Sequence, residues 1–515
     1  MPNFTLADAP KPQKSSAELV ELLDVAPKVM RRSLMLMNGY AYAASMQFAK
    51  VGSKPKVEQV FTVLRNDGQI FYEKQQSFSK LGFLVNIAQL PNPEMALSSK
   101  AIKRYIAGER VNVKVLFEQL CRVADRFIDF EKSLASQNEM CELIACEILA
   151  TYCLDGFNVT GFVWINGEKG SGKTQLLTLM SLLCYDGRLF LSAGTPASLR
   201  DHADIGSTLC IDEAENFNHA QFSIDKREIL LSGNRKGSQI SLKRIDKDKN
   251  WITRYTNTYC KKIFASIVRP EPVIASRSII IPLIRTSNKA KANSDILDYK
   301  LWPVDRGALV DDLWLFALAN LHRMSEYETR VNEMSPLSGR SLEPWRDVLS
   351  VALCLEEYGV SGLWERMNKL SLNYQNERKN IEGIDVNALI IMALCKHLGY
   401  EIGELSEGCE GDIGGKVVQT SDISTEAILL SSELDLDISD DELNTVKIGK
   451  KMSSLGFRKH RQGGTGKAGW RVGRPELARW IQVLGLNKTS DEDVPVEASQ
   501  PSQPSQGSQT FTIDL

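Results

Sequence analysis

Apolar residues fall in short, nearly unbroken runs through the middle of the chain and at helical spacing on either side of it. Phe162-Val163-Trp164-Ile165, Arg188-Leu189-Phe190-Leu191-Ser192, Thr208-Leu209-Cys210-Ile211, the run from Lys261 to Ile267 and the run from Ser278 to Ile284 read as five strands. Runs with so little alternation suit strands covered on both faces. Helical segments separate them, so the pattern predicts a parallel sheet over residues 159–290. Upstream, Leu116, Phe117, Leu120 and Val123, then Leu143, Ile144, Ile148 and Leu149, predict two or three amphipathic helices over residues 110–158. Residues 17–50 predict helix, through Leu19, Leu22, Leu23 and Val25, then Met35, Met37 and Ala41. Residues 57–90 predict short strands around the turn Asn66-Asp67-Gly68. Downstream, residues 291–380 form a helical region and residues 381–487 a smaller domain, whose later part predicts a helix (Val446, Ile448, Met452, Leu455), a strand from Phe457, the turn Gly463-Gly464-Thr465-Gly466 and a strand through Trp470-Arg471-Val472. The ends differ in character. Residues 1–16 hold three prolines and read as a loose arm; residues 488–515 are rich in Ser, Gln and Pro and predict disorder. Residues 1–109 as a whole predict an α+β region with no assignable chemistry.

The first strand runs directly into Gly167-Glu168-Lys169-Gly170-Ser171-Gly172-Lys173-Thr174, and a helical run, Gln175 to Leu183, follows. The segment fits the pattern G-x-x-x-x-G-K-S/T at every fixed position. Strand, glycine loop and helix are what phosphate binding needs. Glycines let successive backbone N–H groups turn toward one anion, and a helix N-terminus adds its dipole. Lys173 can reach the β- and γ-phosphates of ATP, and Thr174 can ligate Mg²⁺. A chance glycine turn would lack this flanking pattern.

The third strand ends in Asp212-Glu213. Asp212 is placed to hold Mg²⁺, directly or through water, and Glu213 to polarise an attacking water. Two acids at a strand end also suit a plain helix N-terminus, but here a phosphate loop precedes them. Ser266 lies near the end of the fourth strand, where a polar group orients water against Glu213; the alternative is a surface serine.

Composition sets the remaining bounds. The 515 residues suffice for two to four domains. The net charge of −2 excludes a globally basic nucleic-acid binder, so any such site must come from local clustering. Ten cysteines occur without a C-x-x-C pair, which reads as buried free thiols in a reducing cytoplasm. Met1-Pro2-Asn3-Phe4 begins no signal peptide, and no run of about 18 apolar residues predicts a membrane span. The expectation is a soluble, cytoplasmic protein.

Two clusters are basic. Between the Asp-Glu pair and the fourth strand, Arg235, Lys236, Lys243, Arg244, Lys247, Lys249, Arg254, Lys261 and Lys262 outnumber Asp246 and Asp248. Residues 443–474 contain nine basic residues and no acid, among them Lys447, Lys450, Lys451, Arg461 and Lys467, after thirteen acids and one lysine in residues 401–442. Helix followed by a basic hairpin resembles a winged helix. On that resemblance Lys447, Lys450 and Lys451 approach a DNA groove while Arg461 and Lys467 on the wing touch phosphate; protein contact is the alternative.

The order of elements resembles the additional-strand P-loop ATPases, specifically the AAA+ group. Ala275-Ser276-Arg277-Ser278 is similar to the clamp-loader motif whose arginine enters a neighbour's ATP site, which implies that Arg277 acts in trans, with Arg269 as fallback. A closer resemblance spans residues 110–480. Asp212-Glu213-Ala214-Glu215, the stretch Ile229 to Gly237, Ser276 to Pro282 and Gly339-Arg340-Ser341-Leu342-Glu343-Pro344-Trp345 are similar to helicase-like ATPases of phages, plasmids and integrated elements. The resemblance implies an ATP- and Mg²⁺-dependent motor, a hexameric ring with the first basic cluster facing its channel, single-stranded or forked DNA as partner alongside other replication proteins, and Arg340 as a second ATP-sensing arginine. For Arg340 a surface arginine at a helix start is the alternative, and for the channel cluster a solvated hairpin. No primase signature occurs in residues 1–110. The expected fold is thus α/β, a P-loop, AAA+-like parallel-sheet core with helical flanks and a C-terminal winged-helix-like module. The expected function is a DNA-translocating ATPase, with a nucleotide-switched initiator or loader and an anti-phage defence NTPase as alternatives.

Overall fold

The computed structural model of the chain describes residues 28–51, 56–73, 77–78, 83–85, 91–190, 194–214, 224–245, 251–382, 386–406, 415–434, 438, 443–461, 468–484 and 486. The arm of residues 1–16, the helix expected through Leu19 and Val25, Lys247, Lys249, the glycine turn at 463–466, Lys467 and the tail from 488 lie outside the described residues. So do the side chains of Arg244, Arg254 and Arg461. The chain divides into two compact units, Met1–Arg378 and Lys379–Leu515.

The first unit opens with strands β1 (Lys28–Met30), β2 (Leu34–Met37), β3 (Tyr40–Val51), β4 (Lys56–Arg65), β5 (Ile70–Glu73), β6 (Ser77–Phe78) and β7 (Phe83–Val85). They form an antiparallel sheet, β2-β3-β4-β5, and a small sheet, β1-β7-β6. The helix expected over residues 17–50 is therefore corrected from Lys28 onward. Asn38 and Gly39 carry φ of +52° and +80°, a two-residue hairpin turn that pairs Met37 with Tyr40. Ala41 to Ser45 are buried on both faces, which erases the alternation that would have marked a strand.

Helix α1 (Ser99–Ile106) leads to α2 (Val113–Phe127) and α3 (Gln137–Tyr152). Asn112 caps α2, whose buried Val113, Leu116, Phe117, Leu120, Val123, Ala124 and Phe127 repeat at helical spacing. Ser136 and Glu139 form a capping box on α3. From Met140 to Tyr152 every residue of α3 is buried.

The central sheet contains β8 (Phe162–Gly167), β9 (Arg188–Phe190), β10 (Leu209–Ile211), β13 (Lys262–Ser266) and β14 (Ser278–Leu283). The order is β14-β8-β13-β10-β9, all parallel. Between its strands the chain forms α4 (Lys173–Leu183), α5 (Pro196–Asp204), α6 (Ile224–Leu231), the antiparallel hairpin of β11 (Gln239–Ile245) and β12 (Trp251–Asn257), and the short α7 (Pro272–Ala275). Phe264 packs on Trp164 at 5.4 Å between ring centroids and on Phe162 at 6.1 Å. Short α8 (Lys289–Ala292), then α9 (Arg306–Asn320), α10 (Met324–Met334), α11 (Gly339–Leu342) and α12 (Arg346–Glu357) follow, and α13 (Leu363–Glu382) runs across the division. Gly161, just before β8, lies so close to the segment joining α11 to α12 that a Cβ there would stand 2.0 Å from the Pro344 carbonyl oxygen.

A charged triad ties these layers together. Lys261 Nζ, buried, is ion-paired with Glu147 on α3 and lies 2.9 Å from Asp347 Oδ2 on α12. Thr160 Oγ1 donates to the same Asp347 oxygen at 2.6 Å. Burial pushes the Glu147 carboxyl up to about 7 against the opposing charge of Lys261, while the two carboxylates hold the lysine above its ordinary value.

The second unit holds α14 (Val386–Leu398), α15 (Ile402–Ser406), β15 (Lys416–Gln419), α16 (Thr420–Glu433), α17 (Thr445–Ser454), β16 (Arg458–Arg461), β17 (Ala468–Val472) and α18 (Arg474–Leu484). Its sheet is antiparallel, in the order β15-β17-β16. One core joins Leu389, Ile423, Ile448, Met452, Trp470 and Ile481. Trp470 Nε1 donates to Thr420 Oγ1 at 2.9 Å, fixing α16 to β17. Among the described residues no helix is long and apolar enough to cross a membrane. The nine described cysteines are free, and burial pushes the thiols of Cys146, Cys153 and Cys210 well above their ordinary value.

Candidate functional site

Strand β8 delivers the chain to Gly167, where a Cβ would stand 2.5 Å from Ser171 Oγ and 2.6 Å from the Leu283 carbonyl oxygen. Gly170 and Gly172 hold φ of +83° and +92°, and Gly172 is the N-cap of α4. Only glycine adopts such values without strain. Glu168, Lys169 and Gly170 are exposed at the loop crest. Ser171 is buried, and its hydroxyl finds no partner among the described residues. Lys173 Nζ, at the first turn of α4, donates to the carbonyls of Gly167 (2.7 Å) and Glu168 (2.8 Å).

Next to it, Thr174 Oγ1 donates to Asp212 Oδ2 at 3.0 Å, and Asp212 Oδ1 accepts from the Glu213 N–H at 3.0 Å. Glu213 is exposed and its φ is +56°, a left-handed conformation worth about 1–2 kcal/mol of strain in a residue with a Cβ. Ser266 closes β13, which lies between β8 and β10. It is 1% exposed, so it is not a surface serine. Its Oγ accepts from the Val268 N–H at 3.1 Å. Asn166, paired with Ser266 in the sheet, donates to the carbonyls of Ser266 (3.3 Å) and Val268 (3.0 Å). The glycine loop, Lys173, Thr174, Asp212, Glu213 and Ser266 thus meet at one edge of the parallel sheet. Asn166 belongs with them; its signal was a polar side chain at the end of an apolar run.

A cavity of about 200 Å³ opens beside the loop, between Gly170–Gly172 and the residues Phe127, Asp129, Arg285, Thr286 and Lys291. Lys291 Nζ lies 2.6 Å from Asp129 Oδ1, and Thr286 donates to Asp129 Oδ2. Burial works to raise the Asp129 carboxyl, but these two bonds outweigh it and hold it below its ordinary value. The lining comes from three separate stretches, and no spacing in the sequence pointed to it.

Arg277 and Arg340 stand elsewhere. Arg277 precedes β14, whose Ser278 pairs with Phe162 while Leu283 pairs with Gly167. It therefore lies about a strand's length, roughly 17 Å, from the glycine loop at the opposite sheet edge. Its guanidinium donates to the Leu231 carbonyl. Arg340 does not reach the phosphate loop of its own chain: its guanidinium lies 3.2 Å from Glu343 Oε2. Arg235 pairs with the same buried Glu343. Burial, then the charges of Arg340 and Arg235, lower the Arg277 value despite Glu343. Arg269 is exposed, three residues beyond Ser266.

The first basic cluster is divided by the fold. Lys243 is exposed on β11, and Arg244 follows it in the strand. Lys236 is held at the hairpin's foot, 2.6 Å from the Asp155 carbonyl. Lys261 and Lys262 leave the cluster altogether, because both are buried. Lys262 donates to the carbonyls of Ser232 (2.7 Å) and Thr258 (3.1 Å), and burial lowers its value. In the second unit Lys447 and Lys450 are exposed on α17 and Lys451 is half-buried. Lys447, Lys450 and Lys451 line a hollow of about 440 Å³. Lys450 also borders one of about 820 Å³ with Lys459, whose ammonium lies 5.4 Å from the Trp470 ring centroid. Arg461 ends β16.

No family model matches the chain, and no curated protein matches it. Among solved structures, the apo C-terminal region of NrS-1 is similar at 13% identity and a TM-score of 0.29, over 84% of this chain and 96% of that one. The Drosophila ORC bound to DNA is similar at 13% identity and a TM-score of 0.18, over 73% of this chain and 93% of that one.

Proposed function

We propose that the first unit hydrolyses ATP with Mg²⁺ and that the chain uses this to move along DNA, as a replicative-type helicase of a phage or mobile element. The observation that carries the reading is the 3.0 Å contact of Thr174 with Asp212 beside a glycine loop, across a sheet in which β13 is inserted between the loop strand and the acid strand. That inserted strand fits the additional-strand ATPases, and the five-strand parallel order fits an AAA+-like core.

The residues suit the nucleotide. The loop glycines free N–H groups to face phosphate oxygens, and Lys173 needs only to leave two carbonyls to meet them. The cavity of about 200 Å³ lined by Gly170–Gly172, Phe127 and Thr286 would leave room beside the loop for part of the nucleotide. Thr174 and Asp212 would hold Mg²⁺, whose charge neutralises the phosphate oxygens. Glu213 accepts a hydrogen bond from the attacking water and aligns it on the γ-phosphate; Ser266 and Asn166 fix the neighbouring edge. Arg277, far from its own loop, serves a neighbouring subunit's nucleotide in a ring, and Arg340 beside it acts in trans as well. In the second unit, the succession α14, α15, β15, α16, α17, β16, β17 fits a winged helix with the short α15 added after its first helix, with Lys447 and Lys450 facing duplex phosphate and Arg461 and Lys467 on the wing.

The deciding experiment is steady-state ATP hydrolysis with and without single-stranded and duplex DNA, with Glu213→Gln as control. Stimulated turnover lost in the variant supports the motor. Nucleotide-dependent assembly without turnover supports a loader, and hydrolysis indifferent to DNA removes the motor reading.

A further inference from the structure

Helix α17 carries Lys447, Lys450, Lys451 and Ser454 along a hollow of about 440 Å³ that Val386 completes. Val446, 67% exposed, borders the neighbouring hollow together with Lys450, Lys459 and Trp470. The surface therefore mixes ammonium groups with apolar side chains. Duplex backbone answers only half of it. Phosphates meet lysines, but a valine among the lysines gains nothing from a phosphate. A peptide in which carboxylates flank aliphatic side chains answers both halves.

The chain contains such a segment. Asp491-Glu492-Asp493-Val494-Pro495-Val496-Glu497 places four acids around two valines, and Lys488 is the one base in residues 488–515. The fold brings the start of this segment near the hollow. Trp480 Nε1 on α18 donates at 3.0 Å to the carbonyl of Leu455, the C-cap of α17. Leu486, just past α18, joins the core that contains Ile448 and Met452 of α17. Asp491 follows Leu486 by five residues and Glu497 by eleven, lengths of chain that can span roughly 17 Å and 37 Å. Helix α17, with its ten residues, is only roughly 15 Å long. The acids are thus within reach of every lysine of the hollow. Tethering also makes a weak contact sufficient. At an effective concentration of about 1 mM, a contact with a Kd of about 0.1 mM is occupied about tenfold over.

We propose that residues 491–497 dock in the lysine hollow of α17 in the same chain, carboxylates on Lys450 and Lys451 and valines against Val386 and Val446, and so exclude the phosphates of duplex DNA. The docking stands by itself. The exclusion rests on the reading of the second unit as a duplex-binding module.

The test has two readouts, both on the full chain. A fluorescent peptide of residues 489–499 is titrated against the variant Asp491→Asn/Glu492→Gln/Asp493→Asn/Glu497→Gln, whose own segment is neutralised. Duplex DNA is titrated against this variant and against wild type across a salt series. The peptide should bind with a Kd on the order of 0.1 mM. Adding Lys450→Gln/Lys451→Gln to the variant should weaken it roughly tenfold, and replacing both valines of the peptide by serine should weaken it as well. The neutralised variant should bind duplex roughly tenfold more tightly than wild type at low salt, with the gap closing as salt rises. A peptide that does not bind, or that binds regardless of the two lysines, overturns the proposal. Equal duplex affinity for the two proteins also overturns it. A gap that grows with protein concentration assigns the segment to a neighbouring copy and overturns docking within one chain. If the peptide binds as expected and neither protein binds duplex, the docking is supported and the DNA reading of the second unit falls.

Discussion

Thr174 Oγ1 donates to Asp212 Oδ2 at 3.0 Å across 38 residues of sequence. The hydroxyl and the carboxylate face each other from the first turn of α4 and the end of β10, so the pair is set by the sheet and needs no rearrangement to share a ligand.

Replacing either partner, Thr174→Ala or Asp212→Asn, should weaken Mg²⁺-dependent nucleotide binding, read by titration with a fluorescent ATP analogue with and without the metal. Glu213→Gln should leave that binding in place and lower turnover by on the order of 10²-fold or more. A Glu213→Gln protein that turns over normally would remove this residue from the chemistry.

Arg277→Ala should lower turnover by on the order of 10³-fold while each subunit still binds ATP. Mixing Arg277→Ala protein with Lys173→Ala protein should restore part of the activity, since each supplies what the other lacks. Two inactive proteins that stay inactive when mixed, although light scattering shows them assembled together, would exclude action in trans.

The triad of Lys261, Glu147 and Asp347 makes two stability predictions. Lys261→Met strands two buried carboxyls and should cost about 3–5 kcal/mol in denaturant unfolding. Glu147, pushed up to about 7 from an ordinary 4.5, keeps its proton in the folded state over a range where the unfolded chain has released it. Stability from this group is therefore complete below about pH 4.5 and declines as pH rises toward 7. Glu147→Gln should flatten that limb of the profile.

Two glycines should respond oppositely to alanine. At Gly161 the new Cβ would stand 2.0 Å from the Pro344 carbonyl oxygen, backbone against backbone, and the first unit should lose several kcal/mol. At Gly449, inside α17, it would meet only Thr420 Cγ2 at 3.9 Å and Trp470 Cζ2 at 4.0 Å. There alanine should stabilise the second unit by about 1 kcal/mol, read as a raised melting temperature.

What could be read from the sequence followed burial. Phe162-Val163-Trp164-Ile165 and the runs of β10, β13 and β14 are covered on both faces or nearly so, and their apolar runs announced strands; β9, at the end of the sheet, is more exposed, with Leu189 at 40%. The glycine loop was legible as a loop because its backbone fixes residue types: Gly170 and Gly172 hold φ of +83° and +92°, and Gly167 leaves no room for a Cβ. β3 was misread because Ala41 to Ser45 are buried on both faces and alanine and methionine suit helices equally well. Lys261 and Lys262 were counted with a solvated cluster because a charge tally does not know that Glu147 and Asp347, each more than 80 residues away, wait inside. The surroundings of Arg340, beside Glu343 and near Arg277, could not be read at all, because sequence order says nothing about which sheet edge a lid segment meets.

That placement has a consequence for architecture. With its phosphate loop at one sheet edge and Arg277 and Arg340 at the other, the chain has a head and a tail. Copies joined through these groups, as the proposed action in trans requires, would leave one unused head and one unused tail, however many were added, until the last met the first. Subunit number would then be fixed by the turning angle between neighbours, and an angle that failed to close would produce a filament.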